Sequence, residues 1–320
     1  MSDNVLVTGG AGFIGSNFVR LLLESGASVT NLDALTYAGV AATVEELNEY
    51  SNHRFVKGDI TDASLVAEVI PGHDAVVHFA AESHVDRSIL GPMDFLSTNV
   101  VGTGVVIDAA RRASVPRFIH VSTDEVYGSI AEGFASEDAV LNPSSPYSAS
   151  KAGSDLVALS FATTFDYPVV VTRCTTNYGP YQVPETVIPL FVTNLLEGAS
   201  VPLYGDGRNE RDWLFVDDHC SAIELLLRIG VAGEVYNIGA NQQLSNRDLT
   251  SAILELMGAD ESSVELVADR KGHDLRYAVD SSKIRELGWA PKVDFAEGLE
   301  RTIEWYRSRT DWWQPLKASQ

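Results

Sequence analysis

Val5-Leu6-Val7-Thr8-Gly9-Gly10-Ala11-Gly12-Phe13-Ile14-Gly15 runs from an apolar strand through a glycine turn into a helix. Gly10, Gly12 and Gly15 satisfy G-x-G-x-x-G, and Gly9, Gly12 and Gly15 satisfy Thr-Gly-x-x-Gly-x-x-Gly. Glycines here let the backbone turn tightly and approach a pyrophosphate, which then sits on the helix N-terminus. The pattern carries weight because it follows the first predicted strand and opens a helix. Asp33 closes the next strand, 18 residues beyond Gly15. Its carboxylate can accept hydrogen bonds from an adenosine ribose and would repel a 2′-phosphate, which favours NAD over NADP.

The alternation of strand and helix continues outward. Residues 29–33, 54–58, 75–79 and 118–122 read as further strands, rich in Val, Ile and Phe. Helical patterns cover 13–25, 63–70 and 93–113. Strands alternating with helices predict parallel βαβ units with right-handed crossovers, and continuous apolar strands suit a sheet covered on both faces. Strand ends in such folds share one ligand-binding edge. Asp59-Ile60, after the third strand, and Ala80-Ala81-Glu82-Ser83-His84, after the fourth, therefore join the candidate site. A helix cap is the plain alternative for Asp59.

A longer helix is expected from Tyr147, with Ser145 as N-cap and Pro146 at the first position. Residues 169–173 read as a sixth strand. Beyond the turn-rich Asn177-Tyr178-Gly179-Pro180-Tyr181 the alternation weakens. Helices are expected at 187–196, 218–229, 246–257 and 297–307, with one more strand at 236–239. The fold class is α/β, a Rossmann-like doubly wound parallel sheet with a smaller mixed α/β C-terminal lobe. Residues 1–175 form the expected NAD-binding domain and 176–320 the substrate lobe, with the chain crossing between them.

The chain has 320 residues, is 45% apolar and carries a formal net charge of −21. That length supports a substantial core. The acidity excludes a nucleic-acid surface and makes local cation groups more informative. Arg208 and Arg211 form one such group; Arg270, Lys271, His273 and Arg276 form another. No apolar run approaches the ~20 residues of a membrane helix. Met1-Ser2-Asp3-Asn4 lacks the positive start of a signal peptide. Cys174 and Cys220 are the two cysteines, too few for a disulfide framework or a cysteine-rich metal site, and a reducing cytoplasm fits.

The catalytic signal is a pairing. Ser122-Thr123-Asp124-Glu125-Val126-Tyr127-Gly128 ends the fifth strand, and Tyr147-Ser148-Ala149-Ser150-Lys151 opens the long helix. Tyr147 and Lys151 share a helix face. An ammonium beside the phenol is expected to lower its pKa, making a base for an alcohol proton. An alcohol dehydrogenase needs only that base. Asp124 and Glu125 supply an additional acid and base for a second proton transfer. A solvated turn is the plain alternative for that carboxylate pair.

These residues together resemble the extended short-chain dehydrogenase/reductase family, and within it the dTDP-glucose 4,6-dehydratases of antibiotic deoxysugar pathways. The resemblance spans nearly the whole chain: residues 8–15, Leu35-Thr36-Tyr37-Ala38-Gly39, 80–89, 122–128, 144–151, 177–181, Arg211-Asp212-Trp213, Tyr236-Asn237-Ile238-Gly239 and 268–276. It implies that NAD stays bound and serves both halves of an internal redox reaction. Tyr147, with Lys151 and Thr123, takes the C4′ hydroxyl proton as hydride leaves C4′. Glu125 removes the C5′ proton, Asp124 protonates the departing C6′ hydroxyl, and hydride returns to C6′. The product is a 4-keto-6-deoxyhexose nucleotide, and a homodimer is expected. The resemblance also places Gly9, Gly12, Phe13, Ile14, Gly15, Asp33, Ala34, Leu35, Thr36, Asp59 and Ile60 on the cofactor. Phe79, Ala80, Ala81, Ser83, Thr98, Ser122, Tyr147, Lys151 and Asn177 complete that set. Ser83, Thr123, Thr176, Thr186, Val187, Pro202, Tyr204, Arg211, Asn237, Arg270 and His273 are the implied substrate contacts.

The chain departs from this pattern in three places. Thr176 stands where the family usually has asparagine, Thr186 where it usually has lysine, and Val40 where asparagine often follows Tyr-Ala-Gly. None belongs to the proton-transfer set; they bear on which NDP-hexose is held. A nucleotide-sugar 4-epimerase is the main rival, sharing Tyr147 and Lys151 but having no use for Asp124 and Glu125. A reductase would need NADP(H), against Asp33, and an NAD-binding regulator would need no Tyr147/Lys151 pair.

Overall fold

The computed structural model describes residues 4–270 and 272–318. Lys271, counted above in a basic group, lies outside the described residues, as do Met1–Asp3 of the N-terminal reading. The strands, in chain order, are β1 (Asn4–Thr8), β2 (Ser28–Asp33), β3 (His53–Lys57), β4 (Ala75–His78), β5 (Phe118–Thr123) and β6 (Val169–Cys174). They continue with β7 (Thr176–Tyr178), β8 (Val201–Tyr204), β9 (Glu210–Phe215), β10 (Val235–Ile238), β11 (Gln243–Ser245) and β12 (Val264–Val267). Seven of them form one parallel sheet in the order β10-β6-β5-β4-β1-β2-β3, the doubly wound arrangement expected.

Packing explains why these strands are largely apolar. Val5 and Val7 of β1 join one core with Phe18, Val19 and Leu22 of the helix Phe13–Glu24 and Ile223 and Leu226 of the helix Val216–Ile229. Leu6, between them, joins the opposite core with Val66, Val106, Ile107 and Ala158. Those residues lie on the helices Ala63–Val69, Thr103–Arg112 and Pro146–Phe165. Successive side chains point to opposite faces, and both faces are covered, so apolar residues dominate and the polar exceptions, such as His120 and Arg173, are hydrogen-bonded.

Residues 216–238 return to this large sheet, as a helix against its face and as edge strand β10. The sheets β11-β9-β7 and β12-β8 lie in a second body. There Tyr178, Trp213, Phe215, Trp312 and Trp313 pack with the helices Val187–Leu196, Asn246–Met257 and Phe295–Ser308. Among the described residues no helix is long and apolar enough to cross a membrane.

The helix expected over 93–113 is continuous from Pro92 to Arg112, with a π-helical middle. Gly91 precedes a turn that Pro92 restarts as Pro92–Phe95, because proline suits a first helical position and cannot continue a ladder from behind. A π-helical segment, Leu96–Gly102, then leads into Thr103–Arg112. The widened turn buries Asn99. Its amide donates to Glu82 O at 2.9 Å and Ser150 Oγ at 2.8 Å and accepts from Glu82 N at 2.8 Å, tying the strand-end loop to the Tyr147 helix. The short strands β7–β9, β11 and β12 and the helices Ala41–Leu47, Val85–Leu90 and Thr310–Ala318 are absent from the sequence pattern. Such brief elements span too few periods for a hydrophobic repeat to register.

Candidate active site

The C-terminal ends of β1, β2, β4, β5 and β6 open into one cleft of about 870 Å³. Its floor at one end is the glycine loop. Gly9 has φ +75°, and a Cβ there would sit 2.6 Å from Ala80 N. A Cβ on Gly15 would sit 2.2 Å from Gly9 O, so both positions require glycine to fold. Gly12 is different: a Cβ would meet nothing closer than 3.4 Å, so the chain's own packing leaves room that a ligand can use. Gly12 is also the N-cap of Phe13–Glu24, with no side-chain cap and no acidic residue in the first turn. The first backbone N–H groups are thus left for an anion. Asp33 stands beside them. Its carboxylate accepts from Ala11 N at 3.0 Å and Leu35 N at 2.8 Å, and burial raises its pKa against those bonds. These features fit a dinucleotide diphosphate and ribose.

Every residue expected at the cofactor lines this cleft except Leu35, whose contribution is its backbone N–H to Asp33. Tyr37, quoted in the sequence but given no role, braces the wall: its hydroxyl accepts from Ser83 N and His84 N, both at 3.1 Å.

At the middle of the cleft, β5 runs directly into a 3₁₀ turn, Asp124–Tyr127. Thr123 caps it, its hydroxyl accepting from Glu125 N at 3.3 Å. Gly128 then takes φ +72°, where a Cβ would meet Asn142 O at 2.1 Å. Asp124 is 3% exposed, so the turn is not a solvated one. Burial, and next the Glu125 charge, push the Asp124 carboxyl well above its usual range, with Arg211 opposing. Burial also raises Glu125, opposed by Arg211 and Arg270. Asp124 is thereby suited to carry a proton as an acid.

Ser145 starts the helix Pro146–Phe165 with a capping box: its Oγ accepts from Ser148 N at 3.1 Å and its N–H donates to Ser148 Oγ at 3.0 Å. Tyr147 and Lys151 follow on the buried face, both lining the cleft. The expectation that Lys151 lowers the Tyr147 pKa is corrected here. Burial, and next Glu125, push the phenol well above its usual value, while a hydrogen bond with Thr123 pulls it down. Lys151 Nζ donates instead to Val121 O at 2.8 Å, and burial lowers its own pKa.

Among the expected substrate contacts, Ser83, Thr123, Thr176 and Thr186 line the cleft, and Val187 begins the helix directly after Thr186. Arg211, Arg270 and His273 gather beyond Glu125. Arg211 lies 4.1 Å over the Tyr277 ring, and His273 Nδ1 is 2.6 Å from Asp269 Oδ1. The Arg270 Nε is buried without a partner. Pro202 and Tyr204 sit on β8, whose partner β12 leads into that segment. Asn237 is placed elsewhere: it is fully buried, its Oδ1 accepts from Tyr127 and its Nδ2 donates to Ala135 O and Asp280 O. It lies on edge strand β10, as the strand expected at 236–239 implies, with its side chain turned into the protein.

Two neighbours of the reacting groups are not marked by the sequence reading. Tyr277 donates to Asp274 Oδ2 at 2.8 Å and reaches Glu125 Oε2 at 3.4 Å. Phe95 stands edge-on to Tyr147 at 6.3 Å. Tyr277 directly follows the motif ending at Arg276, the one signal that points to it.

Residues 6–302 match the family GDP-mannose 4,6 dehydratase. The chain is 54% identical to a dTDP-glucose 4,6-dehydratase of Streptomyces niveus, covering 98% of this chain and 96% of that one. Its structure is similar to that of DesIV, a dTDP-glucose 4,6-dehydratase from Streptomyces venezuelae crystallised with NAD and dTDP. The TM-score is 0.95 with 57% identity, over 98% of this chain and 99% of that one. A UDP-glucose 4-epimerase from Thermotoga maritima, with UDP-glucose, is similar at a TM-score of 0.90 but 33% identical, over 96% and 99% of the two chains.

Proposed function

The chain belongs to the GDP-mannose 4,6 dehydratase family, and on that premise we propose that it converts dTDP-glucose to dTDP-4-keto-6-deoxyglucose and water. The observation that carries this reading is the cleft's juxtaposition of Tyr147 and Lys151 with an acid/base pair, buried Asp124 and partly buried Glu125. An epimerase needs only the first pair. NAD, when bound, supplies the hydride acceptor for C4′ and the hydride returned to C6′. The loop Gly9–Gly15 and the uncapped helix start would hold its diphosphate, and Asp33 its adenosine ribose.

The chain's own groups manage the protons. Tyr147 Oη, in the phenolate form that the Thr123 hydrogen bond favours, takes the C4′ hydroxyl proton. Oxidation to a ketone acidifies C5′, where Glu125 removes a proton. Asp124, whose pKa burial pushes up toward the acid's role, gives its proton to the C6′ hydroxyl, which leaves as water. Glu125 returns the proton to C5′. Arg211, Arg270 and His273 are assigned to the nucleoside diphosphate, since a guanidinium fork suits phosphate oxygens. Pro202 and Tyr204 are assigned to the base. Residues 1–175 form the cofactor half of this division and 176–320 most of the substrate half.

We also assign the protein to the cytoplasm and to a homodimer. Leu90, Met93, Val101 and Leu156 are more than half exposed on the helices between 85 and 112 and on Pro146–Phe165. Such a patch suits a second copy, and sedimentation that yields a monomer at micromolar concentration would remove the assignment.

The reaction itself is tested by incubating the purified protein with dTDP-glucose without added NAD and weighing the product. Loss of one water with no net NADH is expected; an unchanged mass would sink the dehydratase reading. Glu125→Gln should still oxidise C4′ and stall before water leaves.

A further inference from the structure

Behind the reacting groups a single buried guanidinium joins the two elements that carry them. Arg173, on β6, is 3% exposed. Its Nε donates to Asp155 Oδ2 at 2.8 Å, and its Nη1 donates to Tyr127 Oη at 2.8 Å and Glu137 O at 3.1 Å. Asp155 lies one turn beyond Lys151 on the same helix and is fully buried. Tyr127 closes the 3₁₀ turn that Asp124 opens, and its hydroxyl donates onward to Asn237 Oδ1 at 2.8 Å. On the other side of Asp155, His120 Nε2 is 3.4 Å from Oδ1. None of Arg173, Asp155, Tyr127 and His120 lines the cleft.

We infer that Arg173 is a positioning residue that fixes the Asp124/Glu125 turn relative to the Tyr147/Lys151 helix and so couples oxidation to elimination. The inference rests on the proposed function. Its physical basis is geometric. Tyr147 must address C4′ while Glu125 and Asp124 address the next two carbons of the same sugar, so the two elements must keep one spacing. A buried ion pair contributes little net stability compared with well-packed apolar residues. What a guanidinium adds is several directed hydrogen bonds at set angles from one planar group. Here they run to a helix, a turn and a loop at once.

The test is Tyr127→Phe, which keeps the ring and the Asp155–Arg173 pair but cuts the link to the turn. Arg173→Lys is the companion, keeping a cation beside Asp155 without the fork. Each holoenzyme is mixed rapidly with dTDP-glucose while NADH absorbance and product mass are followed. Misplacement by ~1 Å costs about a hundredfold in rate. Tyr127→Phe is expected to form NADH at the wild-type rate, to slow water loss by about that factor, and to accumulate reduced cofactor with a 4-keto sugar that keeps its C6′ oxygen; its KM should be unchanged. Arg173→Lys should show the same split. If Tyr127→Phe slows oxidation and elimination equally, or neither, the link is merely structural and the inference falls; that variant decides even where Arg173→Lys does not fold. A wild-type protein that fails to dehydrate dTDP-glucose overturns the functional reading instead.

Discussion

At the Gly9–Gly15 end of the cleft the wall is backbone, made by one continuous segment and bare peptide N–H groups. Beyond Glu125 the available groups are side chains instead, Arg211 on β9 with Arg270, His273 and Tyr277 from the segment after β12. The difference follows from what each end must hold. A diphosphate on a helix N-terminus needs close backbone approach and room. A particular sugar nucleotide needs charges and shapes that only side chains supply. Change at the first end is therefore limited by folding, while a side-chain wall can be altered residue by residue. Between the two ends, Tyr147, Asp124 and Glu125 combine both properties, being side chains held on rigid, capped elements.

That middle ground should be the most sensitive. Tyr147→Phe is expected to lower turnover about 10³-fold, the scale of a lost general base, with NADH formation lost in parallel. Persistence of rapid NADH formation would move the base elsewhere.

Asp124→Asn comes next, at about a hundredfold. Lowering pH protonates Glu125, whose pKa is raised, and removes the base; raising pH strips Asp124, whose pKa is raised further, and removes the acid. The wild-type kcat profile should be a bell, and Asp124→Asn should lose its alkaline limb. A limb that survives belongs to another group.

The backbone end separates two kinds of glycine. Gly15→Ala forces a Cβ against Gly9 O and should cost about 1–3 kcal/mol, seen as a lower Tm. Gly12→Ala has room in the protein itself, so Tm without cofactor should hold while co-purifying NAD falls about tenfold, or ~1.4 kcal/mol. Equal Tm losses in both variants would erase the distinction.

The smallest effect is expected at the side-chain end. Thr186 Oγ1 is buried without a partner. The double change Thr176→Asn with Thr186→Lys should lower KM for dTDP-glucose a few-fold, about 1 kcal/mol, with kcat unchanged. Unaltered kinetics would mean these threonines do not govern binding.

Legibility in the sequence follows the same divide. The glycine loop, Asp33, the strand-end segments and the Ser145 cap are local signals, each within one element, and the structure places them as read. The acid pair is recognisable as residues, yet its burial is not visible, because desolvation depends on what Arg211, Tyr277 and the second body bring against it. The strand around Asn237 is legible, but its partners Tyr127, Ala135 and Asp280 are not, because they lie far away in the chain.

The sequence by itself determined the parallel sheet, the side on which ligands bind and the chemical types available there, since strand periodicity, glycine geometry and capping are local. Only the tertiary structure decided the upward pKa shifts of Asp124 and Glu125, the direction of the Tyr147 shift, the partners of Asn237 and the bridge at Arg173. Those depend on burial and on hydrogen bonds between residues far apart in the chain, which no local pattern encodes.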